Sequence, residues 1–391
     1  MQTESIPARL PKSADEVLDL VAETGAAGRR IEVIGGGTKR CVGAPAGAAE
    51  VTLSLAGLDK VIDYAPEELV LTAQPGVRLA RLEALLAERG QMLAFEPPRW
   101  TKLLRGAGEP TLGGALAANL SGPRRVRAGA ARDHFLGFEA VSGRGEQFKA
   151  GGKVVKNVTG YDMMKLMAGS WGTLAVMTEV TIKVLPAPRT EATLLLFGLT
   201  DARAAEAMQL ALNSPAEVSG AAHLPAFAAG RPPLKAQMPT TAIRLEGFEG
   251  SVAARADSLA MALRGFGRLD RLDAAHSRDF WAQVREVEAF AGDPRPLWRL
   301  SLPPASGWRA ANLPGEVLYD WGGGLVWLLS EAEPAHVREA VRDLGGHATR
   351  MSAGVGPAFA PLEGPLAALN ARVKAAFDPR GVLNPGRMGA A

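Results

Sequence analysis

The chain has 391 residues, 47% hydrophobic and 22% charged, a balance that excludes disordered and fibrous classes and leaves room for two domains with real cores. Its formal net charge of +3 is too small to argue for nucleic acid as a partner. No basic start leads into an apolar run, and no stretch reaches about 18 uninterrupted apolar residues, so the sequence predicts neither a secretion signal nor a membrane span.

One cysteine, Cys41, excludes an internal disulfide and a cluster of metal thiolates. It fits a reducing cytoplasm, and it assigns any iron-sulfur chemistry to another chain.

Ser13 to Glu16 reads as a capping box that opens a helix through VLDLVAETGAAG, ended by glycine. RIEVIG follows as a strand, then EVTLSL, KVIDYA and LVLTAQPG as short strands parted by turns. LARLEALLAERG is apolar at helical spacing, so the region is α+β. Pro186 and Pro188 in KVLPAPRTEA read as a linker. Beyond them the pattern predicts strands at 192 to 198, 241 to 247 and 267 to 272, with helices at 201 to 213 and 251 to 264 between them. A helix containing FWAQVREVEAF comes next, then strands at 297 to 302, 315 to 320 and 324 to 329, a helix at 334 to 344 and a strand at 346 to 350. This is a second unit, one antiparallel sheet backed by helices.

The strand RIEVIG ends in GGGTKR, and the residue order selects among the devices that lay backbone N–H groups on phosphate. A Walker loop fails because Lys39 is in no G-x-x-x-x-G-K frame. A Rossmann turn fails because TKRCVGAPAGAAEV, with Gly43, Pro45 and Gly47, cannot open a helix. The remaining reading is a strand-loop-strand whose amides at Gly35, Gly36, Gly37 and Thr38 form an anion-binding concavity, with a plain tight turn as its alternative. A second element, GEPTLGGALAANLSG, sets Gly113, Gly114, Ala115, Ala117, Ala118 and Asn119 at a helix start, where small residues leave room for a ligand or for close helix packing. A third, residues 151 to 184, runs from a Gly-Tyr-Asp turn through a short helix and a Gly-Ser-Trp-Gly-Thr turn into an alternating strand.

Residues 99 to 132 hold Arg99, Lys102, Arg105, Arg124, Arg125, Arg127 and Arg132 against Glu109, a local excess of six. That stretch fits a solvated face, or a surface for phosphates, an acidic substrate or an acidic partner. The five histidines, His134, His223, His276, His336 and His347, are scattered, so spacing indicates no metal site.

Taken together, IGGGTK, PTLGGALAANLSG, RDHFLG, KNVTGYDMMKLMAGSWGTLAVMTEV and the terminal AAFDPRGVLNPGRM resemble the flavin-binding fold shared by vanillyl-alcohol oxidase and p-cresol methylhydroxylase (PCMH). The resemblance covers roughly residues 1 to 188 and 365 to 391, and within that superfamily it is greatest to the FAD-binding subunits of bacterial glycolate oxidases. It implies a PCMH-type FAD-binding domain at 1–188, an α+β cap domain at 189–350 and a C-terminal segment at 351–391 returning to the flavin.

By the same resemblance, Gly35, Gly36, Gly37, Thr38 and Lys39 wrap the FAD diphosphate. Thr111, Gly113, Gly114, Asn119, Ser121 and Gly122 lie along the diphosphate, ribityl chain and flavin. Gly169, Gly172, Thr173 and Val176 complete the adenine-side wall, and Asn384 returns from the tail. The histidine that attaches flavin covalently in some relatives is replaced here by Thr38, Lys39 and Arg40, which implies non-covalent FAD.

Catalytic relatives carry paired histidines around a Gly-Asp-Gly turn, a motif this chain lacks. His134, Lys156 and Tyr161 are the weak catalytic candidates, with Lys153 and Asn157 beside them, and pinning the loop is their structural alternative. Trp171 departs from the smaller or acidic residue usual in its turn. The resemblance therefore implies an FAD-binding subunit of a glycolate-oxidising complex, cytoplasmic or peripheral on the inner membrane. Its partners would be a catalytic FAD subunit and an iron-sulfur subunit, and its substrate a small 2-hydroxy acid. The alternatives are a self-sufficient 2-hydroxy-acid dehydrogenase and a structural subunit without flavin.

Overall fold

The computed structural model describes residues 8–43, 49–152, 161–354 and 356–389. Pro45, Gly47, Lys153, Lys156 and Asn157 lie outside the described residues.

The chain begins with a three-stranded parallel sheet in the order Ala8–Arg9, Val51–Ser54, Ile31–Ile34. Helix Ala14–Ala26 covers it with Val17 and Val21. Ser13 caps that helix by accepting the Glu16 amide at 3.2 Å, while the Glu16 carboxylate takes the Lys12 amide at 2.8 Å, one residue earlier than a strict capping box. The carboxy-terminal tail extends the sheet on its open side. Ile31 donates to the Val382 carbonyl at 2.8 Å, and Asn384 donates back to the Ile31 carbonyl at 2.9 Å. Ile31 is thereby fully buried.

A five-stranded antiparallel sheet follows, in the order Val61–Ala65, Val70–Ala73, Ala175–Lys183, Phe135–Ser142, Gln147–Gly151. Helix Leu79–Ala87 packs on it through Leu79, Leu82 and Leu86, the apolar stripe that helical spacing predicts.

Residues 190 to 350 supply an eight-stranded sheet, antiparallel at every pairing, with Thr190–Phe197, Thr240–Gly247 and Val218–Leu224 adjacent in its first half. Helices Asp201–Leu212 and Glu249–Leu263 cover one face, using Ala204, Ala207, Met208 and Ala211 and then Val252, Ala256, Leu259 and Leu263. The other face packs against Trp100, Leu103, Leu104 and Leu120 through Trp281, Trp321 and Trp327. A buried tryptophan removes about 150–250 Å² from water, several kcal/mol at about 25 cal/mol per Å².

Predicted and observed elements differ by one to three residues at most ends. Strands Phe135–Ser142 and Gln147–Gly151 fall where the sequence analysis assigns no element, and so does Val218–Leu224. Its VSGAAHL has little β-branched or aromatic character, and every residue in it is buried. Small side chains suit it because helix Asp201–Leu212 lies on one face and the short helix Arg125–Ala128 is also packed against it.

The two halves also meet through charge. Arg244 Nη1 and Nη2 donate to the two carboxylate oxygens of Glu96 at 3.0 Å each, and Arg124 does the same to Glu246 at 3.0 and 2.7 Å. Burial alone would push Glu246 up, but the Arg244 charge and the Arg124 hydrogen bond hold it down to about 2. The basic stretch is thus largely matched within the chain: Arg99 meets Glu83, Lys102 meets Glu288 and Arg127 meets Glu217. Arg105 donates to the Gly292 carbonyl, and Arg132 lies 3.9 Å from Asp133.

Candidate functional site

The strand Ile31–Ile34 ends at the mouth of a cleft that encloses about 850 Å³ when its open, solvent-filled mouth is included. Gly35, Gly36, Gly37, Thr38 and Lys39 form one wall, Thr111, Gly113 and Gly114 another, and Trp171, Gly172, Val176, Asn384 and Arg387 close it. Thus eleven of the sixteen residues assigned to the cofactor converge there. The main-chain amides of Gly35, Gly36, Gly37 and Thr38 donate to no acceptor among the described residues. Four consecutive unpaired donors beside a cleft are a fitting receptor for a diphosphate, since unsatisfied N–H groups are costly unless water or a ligand takes them.

The glycines are required by the protein's own backbone as much as by a ligand. A Cβ on Gly36 would stand 1.5 Å from the Glu109 carbonyl oxygen, and one on Gly35 would stand 2.4 Å from the Thr111 hydroxyl. Opposite them, a Cβ on Gly106 would meet the Thr38 carbonyl at 2.4 Å and one on Gly108 the Gly36 carbonyl at 2.0 Å. Two glycine-bearing segments therefore lie backbone to backbone. The pair Gly106 and Gly108 escaped the sequence analysis, although their spacing just ahead of EPTLGG was visible.

The second element behaves differently. Thr111 caps helix Leu112–Ala117 by accepting the Gly114 amide at 3.3 Å, and Gly113 donates to the Pro75 carbonyl at 2.8 Å. Gly113 is small because Pro75 lies against it, 2.4 Å from where its Cβ would be. This is close packing, with the cleft on the remaining side.

Asn119, Ser121, Gly122, Gly169 and Thr173 are not among the cleft's lining residues. Asn119 accepts the Arg132 amide and Ser121 the Ala131 amide, while the Gly122 carbonyl accepts from Trp321 Nε1 at 3.0 Å. The Thr173 hydroxyl donates to the Ser170 carbonyl, and Gly169 holds φ of +89°, a conformation that favours glycine.

Asn384 ties three elements together. Its Oδ1 accepts the Val33 amide at 2.8 Å, and its Nδ2 donates to the Trp171 carbonyl at 2.8 Å. Trp171 itself sits at φ of +53°, which a bulky residue adopts only where surrounding contacts hold it. Its ring meets Phe359 edge-on, with centroids 5.5 Å apart. Arg387, unassigned from sequence though inside the quoted tail motif, donates to the carbonyls of Lys39 and Arg40 at 2.8 and 3.3 Å and so fixes the loop's far end.

Lys39 Nζ donates to the Thr38 hydroxyl at 3.1 Å and the Arg99 carbonyl at 2.9 Å. Burial pulls its ammonium down to about 8, opposed by the charge of Glu286. The Cys41 sulfur lies 3.7 Å from the Leu104 carbonyl, and burial pushes its thiol up.

None of the five histidines lines the cleft. His134 is buried against Phe95, bonds the Ala128 carbonyl at 2.9 Å and is held below the usual range by burial. His223 is sealed beside Thr241 and Tyr319, and burial pulls it down to about 4. Tyr161 is 91% exposed. Among the described residues no group of His, Cys, Asp or Glu could hold a metal ion, and no helix is long and apolar enough to cross a membrane.

Residues 8–151 match the FAD binding domain family. Over 329 residues the chain is 40% identical to the glycolate oxidase subunit GlcE of Escherichia coli, with 84% of each chain covered. Against the glycolate oxidase subunit GlcD of Bacillus subtilis the identity is 32% over 199 residues, half of this chain and 40% of that one. A crystal structure of p-cresol methylhydroxylase with substrate bound superposes with a TM-score of 0.70 at 16% identity, covering 98% of this chain and 88% of that one, which bears out the α+β PCMH-type fold. The chain belongs to the glycolate oxidase subunit GlcE family of FAD-dependent oxidoreductases.

Proposed function

We propose that this chain is the FAD-binding subunit of a complex that oxidises glycolate to glyoxylate, working with a catalytic flavoprotein and an iron-sulfur subunit. Residues 1–188 with 351–391 form the flavin unit, and residues 189–350 form the cap. The observation that carries the reading is the row of unpaired amides from Gly35 to Thr38, opening onto a cleft lined by no histidine.

In this reading those four amides and Lys39 hold the diphosphate of a non-covalent FAD, with Lys39 supplying a positive charge. Thr111, Gly113, Gly114 and Val176 line the path of the remainder, and Asn384 fixes the tail against it. Asn119, Ser121, Gly122, Gly169 and Thr173 act one layer back by holding the turns that shape the cleft. Bound flavin supplies two-electron acceptance from a CH–OH donor and one-electron release to a redox partner. Oxidising a 2-hydroxy acid in this chain would also require a base close to the flavin ring, and no imidazole of the chain lines the cleft.

The test is made on purified chain, alone and with its co-purifying subunits. The chain is expected to be yellow, to release FAD on heat denaturation, and to keep its flavin oxidised when mixed anaerobically with glycolate. Colourless protein would remove the cofactor assignment. Prompt bleaching of the isolated chain would make it a self-sufficient 2-hydroxy-acid dehydrogenase instead. Co-purification from native cells without a second flavoprotein or an iron-sulfur protein would contradict the proposed complex.

A further inference from the structure

Seven basic residues crowd residues 99 to 132, and six of them find a carboxylate or carbonyl partner in the chain. Arg125 is the exception. Its guanidinium has no hydrogen bond or ion pair among the described residues, although the residue is half-buried. Across the junction of the two halves, Arg299 in strand Leu297–Ser301 is in the same situation. Both guanidinium carbons lie over the ring of one residue, Trp321, at 4.3 and 5.1 Å from its centroid. They therefore cannot be further apart than 9.4 Å, the sum of those distances.

Elsewhere the same protein does not leave half-buried guanidinium groups bare. Arg124 and Arg244 are each matched to carboxylates, and Arg387 reaches two carbonyls. Like charges held this close repel each other where water is partly excluded, unless an anion lies between or beside them. Burial and mutual repulsion pull Arg299 down to about 10. Two carboxyls act on the pair: the charge of Asp133 favours the Arg125 cation and Asp320 favours that of Arg299, but Asp320 accepts the Trp321 amide at 2.7 Å and burial pushes it up to about 7, so it supplies only part of a negative charge at neutral pH. The site adjoins the cofactor cleft: Trp321 Nε1 donates to the Gly122 carbonyl, two residues past the cleft-lining Leu120.

We propose that Arg125 and Arg299, braced by Trp321, form a binding site for a small carboxylate. Planar guanidinium groups match a flat carboxylate by paired N–H···O bonds, and contact with the Trp321 ring limits how far either group can move. The choice of glyoxylate and its diacid analogue oxalate as probes rests on the glycolate reading above; the site itself does not.

Oxalate and glyoxylate are titrated calorimetrically into the purified full chain, with sulfate and chloride as comparison anions and the flavin absorbance of each preparation recorded. Arg125→Gln and Arg299→Gln are each expected to weaken oxalate at least tenfold with flavin content unchanged, and Arg299→Lys to recover part of that loss. In wild-type protein, oxalate is expected to protect both arginines from phenylglyoxal, read by mass spectrometry, which removes any dependence on the variants folding. Equal oxalate affinity in wild type and variants, no protection, or sulfate binding as tightly as oxalate would overturn the proposal, the last reducing the site to an adventitious anion only. Arginine-dependent oxalate binding in a colourless preparation would sustain this site while refuting the flavin assignment.

Discussion

Two polar regions of the molecule have opposite character. At the junction of the sheets, Glu96, Arg124, Arg244 and Glu246 satisfy one another in a buried set of bidentate pairs. At the end of strand Ile31–Ile34, four consecutive main-chain amides face a cleft with no partner among the described residues. A closed network fixes how two layers sit together, and it has no capacity left for a ligand. An open row of donors contributes little to folding and is available for binding. Stability and recognition are thus separated in space, and substitutions in each region should fail in different ways.

The largest effect is expected at the closed network. Arg244→Met leaves Glu96 and Glu246 as buried carboxylates short of a cation and should cost about 3–5 kcal/mol in chemical denaturation, without a direct effect on flavin affinity. Because Glu246 is held down to about 2 in the folded chain, its contribution is complete above its ordinary value of 4.5 and is lost as pH falls toward 2. Acid titration of stability should show that loss in wild type and a shallower one in the variant.

Next comes Gly36→Ala. Its Cβ has nowhere to go against the Glu109 carbonyl, so the loop must leave segment 106 to 111. FAD affinity should fall tenfold or more by fluorescence titration, with a stability loss of about 1–3 kcal/mol. A variant that unfolds like Arg244→Met while keeping its flavin would erase the distinction between the two regions.

A smaller effect concerns charge at the open site. Lys39, pulled down to about 8 by burial, loses its proton as pH rises past that value. Glu286, Cys41 and Arg387 also face the loop, and the first two favour the ammonium. FAD affinity should therefore drop several-fold between neutral pH and mild alkali in wild type, and stay flat in Lys39→Met.

The smallest effect is expected at Lys102→Ala. The Lys102–Glu288 pair joins the same two halves as Arg244 does, but Lys102 is 77% exposed. Its removal should cost about 0.5 kcal/mol or less.

Much of this was legible in the sequence where the information is local. The glycine run at 35 to 37, the alternating strands and the helical stripe at Leu79, Leu82 and Leu86 each declare themselves within a dozen residues. The strand Val218–Leu224 did not, because its small residues answer to neighbours on both faces and not to its own periodicity. The meaning of the basic stretch was hidden for the same reason. Its carboxylate partners Glu217, Glu246 and Glu288 lie roughly a hundred residues or more away, and only the fold brings them together. Arg387 and the pair Gly106 and Gly108 were visible as residue types, but their roles depend on the tail and the 106 to 111 segment both returning to the loop.

The most direct test is a crystal structure of the flavin-loaded chain. Diphosphate oxygens are expected within about 3.2 Å of the amides of Gly35, Gly36, Gly37 and Thr38. Flavin bound with its diphosphate elsewhere, and those amides turned to water, would contradict this.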